Sequence, residues 1–210
     1  PFNCEWANKF NGNEMMPNLK ELRVKLFADG ADKDGMLEMY ANPLISGFTT
    51  NPTLMKVAGI MDYKSFALDI LTYIKDKPIS FEVFSDEFDE MKRQALDIAS
   101  WSENIYVKIP ITNTRAESSV DLIGKLSGRN IKINVTAMMT VAQVQSVLDA
   151  LSTGPGSYVS VFAGRIADAG LDPLPIMKEV MNILKHYPNI ELIWASPREL
   201  YNLVQADAIG

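Results

Sequence analysis

Along this chain, short runs of β-branched and aromatic residues alternate with longer stretches whose apolar positions recur every three to four residues. VKLFADG (24–30) reads as a first strand, followed by a short helix over 32–42. GFTTNP (47–52) reads as a second strand stopped by Pro52, after which TLMKVAGI and DYKSFALDILTYIKD carry helical spacing. ISFEVFS (79–85) is a third strand, and DEFDEMKRQALDIASW a helix with an acidic first turn. IYVKIPIT (105–112) is a fourth, in which Pro110 is expected to end regular pairing, with a helix near 115–127. IKINVTAM (131–138) is a fifth, with a helix over 140–151. GPGSY then turns the chain into YVSVFAGR (158–165), a sixth strand, followed by a helix over 172–186. IELIWAS (190–196) is a seventh, with a last helix over 197–208. Residues 1–22 show no clear period and read as an N-terminal arm, with a short helix around PNLKEL.

Strand starts at 24, 47, 79, 105, 131, 158 and 190 are spaced by 23, 32, 26, 26, 27 and 32 residues. Strand–helix alternation of that period implies parallel strands joined by right-handed crossovers. The expected architecture is α/β, a (β/α)8 TIM barrel over residues 23–210, of which seven strands are visible. An open doubly wound sheet is the alternative, but no Gly-rich phosphate loop follows the first strand. The chain reaches QADAIG where an eighth strand would start.

Composition narrows the function classes. The 210 residues are 47% hydrophobic and 22% charged, an ordinary globular balance. A net charge of −6 argues against a general nucleic-acid or anionic-membrane binder. No apolar run is long enough for a membrane span, and the N-terminus lacks a signal-peptide pattern. A single cysteine, Cys4, excludes an internal disulfide and fits a reducing compartment, so the cytoplasm is expected. One cysteine and one histidine, His186, make a Cys/His zinc site and a Ser-His-Asp triad poor readings.

Lys108 lies in the middle of the apolar fourth strand and has two readings. It is either an edge-strand ammonium reaching to water, or an amine held in an apolar pocket as a nucleophile toward carbonyls. Near their C-terminal ends the other strands offer Asp29, Thr49, Asn51, Glu82, Asn134, Thr136, Ser160 and Ser196. Catalytic groups of barrel enzymes gather at that end. Taken singly, Asp29 could serve a turn, Asn51 a helix cap and Asn134 loose backbone bonds. A purely structural account explains poorly why strand after strand ends in a polar residue. Lys25 and Lys132 fall toward the opposite mouth, and Asp86, Glu87, Asp89 and Glu90 read as a solvated helix start. Arg165 and Arg198 follow the sixth and seventh strands; cations there in an acidic protein suggest an anionic substrate, most simply a phosphate.

ADG (28–30), GFTTNPTL (47–54), FEVF (81–84), VKIPIT (107–112), NVTAMMT (134–140), SVFAGRI (160–166) and WASPRE (194–199) resemble, in order, the strand-end motifs of the transaldolase family. The resemblance covers residues 24–210 and implies a class I aldol mechanism in carbohydrate metabolism, in the pentose phosphate pathway, without metal or cofactor. It implies Lys108 as the Schiff-base lysine, Asp29 as the group exchanging the C4-hydroxyl proton, and Glu82 and Thr136 as holders of a proton-carrying water. Asn51, Asn134 and Ser160 would bind hydroxyls of the dihydroxyacetone unit, with Thr49 shaping the pocket. Arg165, Arg198 and Ser196 would hold the phosphate. The implied partners are fructose 6-phosphate, sedoheptulose 7-phosphate, erythrose 4-phosphate and glyceraldehyde 3-phosphate; a homo-oligomer is compatible with the fold. Family members continue through an eighth strand and a further helix. The alternatives are a fructose 6-phosphate aldolase, which releases free dihydroxyacetone, and a truncated barrel that binds sugar phosphate without turnover. The aldolase branch has a tyrosine where this chain has Phe162 and a glutamine where it has Glu82.

Overall fold

The computed structural model describes residues 22–210. The expected arm and its short helix lie outside the described residues, apart from Leu22. Seven strands form one parallel sheet: β1 (Leu26–Asp29), β2 (Ile45–Thr49), β3 (Ile79–Glu82), β4 (Ile105–Pro110), β5 (Ile133–Met138), β6 (Ser157–Val161) and β7 (Ile190–Trp194). Their spatial order is their sequence order. An order without reversal has no switch point, which removes the doubly wound alternative.

The helices are α1 (Lys33–Ala41), α2 (Pro52–Val57), α3 (Tyr63–Tyr73), α4 (Phe88–Ala99), α5 (Val120–Ser127), α6 (Val141–Ser152), α7 (Ala163–Asp168), α8 (Leu174–Leu184) and α9 (Tyr201–Ile209). Several start where the sequence supplies an acceptor for free N–H groups. Asp32 accepts from Gly35, Asp62 from Ser65, and Thr140 and Gln143 form a reciprocal box at α6.

Alternation along the strands makes two layers. Val107, Ile109, Val135 and Val159 point outward and are fully buried beneath the helices, where Ile123, Leu126, Val144 and Val147 meet them. The other set, which includes Lys108, Asn134 and Ser160, points inward. The sheet curls far enough for its ends to meet. Phe27 of β1 packs edge-on against Tyr158 of β6, with ring centres 5.5 Å apart. Lys25, just before β1, pairs with Glu191 of β7 at 2.5 Å. The Asp207 carboxylate of α9 accepts from the backbone N–H groups of Arg23 and Val24 at 2.6 and 3.3 Å.

Three expectations are corrected. Pairing runs through Pro110, which lies opposite Thr136, and the ladder continues with Ile111 N–H donating to the Thr136 carbonyl. A proline ends pairing only where its missing N–H was needed. The helix expected near 115 begins at Val120, because 112–118 folds back on itself, with Thr112 bridging Ser118 and Ala116 at φ 61°. The sixth strand stops at Val161; Phe162 turns the chain, and Arg165 stands on the short helix α7 rather than at a strand end.

Candidate active site

Lys108 sits one strand step from the carboxylate-bearing end of β3. Register pairs it with Glu82 on one side and Asn134 on the other. The residue is 8% exposed. The side chain is therefore buried and is not an edge-strand ammonium reaching to water. Its Nζ donates to the Thr50 carbonyl at 3.2 Å and lies 3.3 Å from a Glu82 carboxylate oxygen. Burial raises the pKa of Glu82 above the usual carboxylate value, and the nearby Asp29 charge adds to this; the Lys108 charge and hydrogen bond oppose it without cancelling it. Glu82 is therefore a buried carboxyl that holds its proton more readily than an exposed one, beside the Lys108 amine.

Asp29 ends β1 at the exposed rim and accepts from Thr49 Oγ1 at 2.8 Å. Inside, Asn134 is fully buried: its Nδ2 donates to Ser80 Oγ at 3.0 Å and its Oδ1 accepts from Ser160 Oγ at 2.7 Å. This Ser80–Asn134–Ser160 ladder fixes the amide's orientation. Thr136, next along β5, buries its Oγ1, which finds no hydrogen-bond partner among the described residues. An unpaired buried hydroxyl costs ~1–3 kcal/mol, so the fold gains nothing from it here. Asn51 caps α2, its Oδ1 accepting from Leu54 N–H at 2.9 Å, which ties that oxygen to the helix start.

The two arginines meet on one carboxylate. Arg198 approaches Asp168 with Nε, at 3.1 Å, and Nη2; Arg165 Nη1 lies 3.7 Å from the same Asp168. Ser196, at φ 57°, turns the loop between β7 and Arg198. Phe162, half-buried, precedes α7, and its N–H donates to the Met138 carbonyl at 2.8 Å.

The opposite mouth is a cleft of about 440 Å³ lined by Lys25, Phe27, Tyr106, Lys132, Tyr158 and Glu191, among others. Its cations are engaged: Lys25 by Glu191, and Lys132 by the Glu103 carbonyl at 2.8 Å. The buried lysine–glutamate pair lies at the other end of the strands.

Sequence reading missed Thr50, Ser80 and Asp168. Ser80 stands two residues before Glu82 on the same strand face, and alternation alone would have placed it inside. Asp168 is three residues after Arg165, a helical spacing hidden by reading 163–165 as strand.

Residues 26–210 match the Transaldolase/Fructose-6-phosphate aldolase family. A probable transaldolase of Dehalococcoides mccartyi is 34% identical over 188 residues, covering 89% of this chain and 83% of the relative. One from a Thermoanaerobacter species is 37% identical over 188 residues, covering 89% and 82%. Another, from Caldicellulosiruptor saccharolyticus, is 35% identical over 189 residues, covering 89% and 82%. Among the described residues, no helix is long and apolar enough to cross a membrane. With seven parallel strands in sequence order and a buried lysine–glutamate pair at their C-terminal end, the chain belongs to the transaldolase/fructose-6-phosphate aldolase family.

Proposed function

We propose that this chain is a transaldolase that moves a dihydroxyacetone unit between sugar phosphates through a Schiff base on Lys108. The observation that carries this is the buried amine 3.3 Å from a carboxyl whose pKa is raised. Lys108 in its neutral form adds to the C2 ketone of fructose 6-phosphate. Glu82, with the Thr136 hydroxyl, passes protons as the carbinolamine loses water. Asp29 takes the C4-hydroxyl proton, the C3–C4 bond breaks, and glyceraldehyde 3-phosphate leaves. The enamine on Lys108 then adds to the aldehyde of erythrose 4-phosphate, Asp29 returns the proton, and hydrolysis frees sedoheptulose 7-phosphate and the lysine.

The surrounding side chains have matching tasks. Asn134 and Ser160 bind hydroxyls of the retained three-carbon unit, beside Asn51 and Thr49. Arg165, Arg198 and Ser196 hold the phosphate at the rim. Phe162 and Glu82, where the aldolase branch has tyrosine and glutamine, favour transfer over release, as do the names of the relatives. These substrates support a role in the pentose phosphate pathway, and the single cysteine supports a reducing compartment, the cytoplasm.

Borohydride reduction in the presence of fructose 6-phosphate tests the chemistry. Intact mass should rise by one reduced three-carbon adduct, or by one reduced fructose 6-phosphate where cleavage has not yet occurred. Peptide mapping should place the adduct on Lys108. Modification of Lys25 or Lys132 with Lys108 untouched would overturn the assignment.

A further inference from the structure

We infer that Asp168 is a positioning residue that aligns the Arg198 guanidinium, and secondarily that of Arg165, to receive a phosphate monoester. The inference rests on the proposed phosphate pocket and deepens it. Arg198 presents its Nε–Nη2 edge to both Asp168 oxygens, the two-point pairing that suits a planar fork. That pairing fixes the plane of the guanidinium and leaves the Nη1 protons outside it. A long side chain at an exposed rim otherwise samples many rotamers, and ordering it on binding has an entropic cost. Asp168 meets that cost before substrate arrives.

The same carboxylate also offsets one of the two positive charges. The arginine side chains are 60% and 45% exposed, so solvent screens this charge term. Alignment outweighs it. The site is held from behind as well: Arg198 N–H donates to Asn202 Oδ1 at 2.8 Å, and Gly164 N–H donates to the Ala195 carbonyl at 3.2 Å.

The test compares Asp168→Asn, Asp168→Glu, Arg165→Ala and Arg198→Ala. Readouts are KM and kcat for fructose 6-phosphate, inhibition by inorganic phosphate, and borohydride trapping with unphosphorylated dihydroxyacetone. Asp168→Asn should raise KM for fructose 6-phosphate about tenfold, weaken phosphate inhibition by a similar factor and leave trapping with dihydroxyacetone within about twofold. It should add little in the Arg198→Ala background, and Asp168→Glu should fall between Asn and the parent. Equal loss with dihydroxyacetone, tighter phosphate binding, or full additivity with Arg198→Ala would overturn the inference. If the arginine variants leave KM for fructose 6-phosphate unchanged, the phosphate pocket itself is wrong. If they raise it and Asp168→Asn does not, only the role of Asp168 falls.

Discussion

A Cβ at position 164 would lie 1.6 Å from the carbonyl oxygen of Ser196. The first turn of α7 and the loop after β7 therefore touch backbone to backbone. The two motifs that carry Arg165 and Arg198 are joined at this contact. Gly164→Ala must push them apart, since neither backbone group can rotate away as a side chain could. Overpacking of this kind costs ~1–3 kcal/mol. The expected result is a lower Tm together with a raised KM for fructose 6-phosphate, read by thermal denaturation and steady-state kinetics. An unchanged Tm and KM would show that the loop yields freely.

Glu82 gives a pH signature whose sign is set by its raised pKa. Burial favours the protonated form, so the folded protein holds this proton more tightly than the unfolded chain, whose carboxyl has the ordinary value of 4.5. The stability this contributes is complete below that value and is lost as pH rises through the folded value. In the proposed mechanism activity runs the other way, because the carboxylate form must accept a proton from the amine or carbinolamine. The rate should fall on acidification at a pH above 4.5. In Glu82→Gln, kcat should drop by roughly 10²–10⁴-fold, and the acid limb of the profile should disappear. A variant that keeps the acid limb assigns it to another group.

The strand pattern was legible because each strand is short, apolar and bounded. Seven starts expected at 24, 47, 79, 105, 131, 158 and 190 fall at 26, 45, 79, 105, 133, 157 and 190. Lys108 stood out because nothing else in IYVKIPIT is charged. What stayed hidden was structure without a periodic signal. The strand-to-helix change at Phe162 has no Gly or Pro before it, and SVFAGRI is apolar enough to continue as strand. Ser80, Asn134 and Ser160 come together from three strands, and only register reveals that they form one ladder. Asp86 and Glu87 read as a solvated helix start because their partner lies 28 residues or more away.

That partner is Arg115, which fastens the loop after β4 to the loop after β3. Its guanidinium lies 3.3 Å from Asp86, 2.8 Å from Glu87 and 3.1 Å from Glu117. The Thr114 hydroxyl and N–H bind the same Asp86, and with Arg115 they hold its pKa below the usual range. A lowered carboxylate pKa gives stability that is present above the unfolded value of 3.8 and lost as pH falls through the folded value. Arg115→Ala should make residues 112–119 sensitive to limited proteolysis at neutral pH, as acid should in the parent. Exposed pairs are screened, so Tm should move little. Undiminished protease resistance would mean that Asn113 and Thr114 hold the loops alone.

The inner ladder makes a separate prediction. Ser80→Ala leaves the Asn134 Nδ2 without its acceptor inside a fully buried site, at a cost of ~1–3 kcal/mol. The amide is then free to turn away from Ser160. Thermal unfolding should show the lost stability, and kcat should fall while KM for fructose 6-phosphate changes little, because the proposed phosphate contacts lie elsewhere. A kcat equal to the parent's would show that the orientation of Asn134 does not depend on Ser80.

In the proposed mechanism, transfer against release turns on Phe162. It stands where β6 gives way to α7, half-buried, with its N–H on the Met138 carbonyl at the end of β5. A phenyl ring donates no hydrogen bond, so it neither orients a water nor protonates the enamine held on Lys108, as a phenol could. The enamine should then survive until an aldehyde arrives, which is what a transferase needs. With fructose 6-phosphate and erythrose 4-phosphate the protein should form sedoheptulose 7-phosphate; without an acceptor it should release dihydroxyacetone only slowly. Phe162→Tyr should shift the ratio of release to transfer upward by about tenfold, the effect of a hydroxyl that contributes ~1.4 kcal/mol to protonation. Both rates are read from the same reaction, glyceraldehyde 3-phosphate by a coupled assay and dihydroxyacetone by chromatography. Cleavage as fast without acceptor as with it, in the unmodified protein, would make this chain an aldolase and remove the role assigned to Phe162.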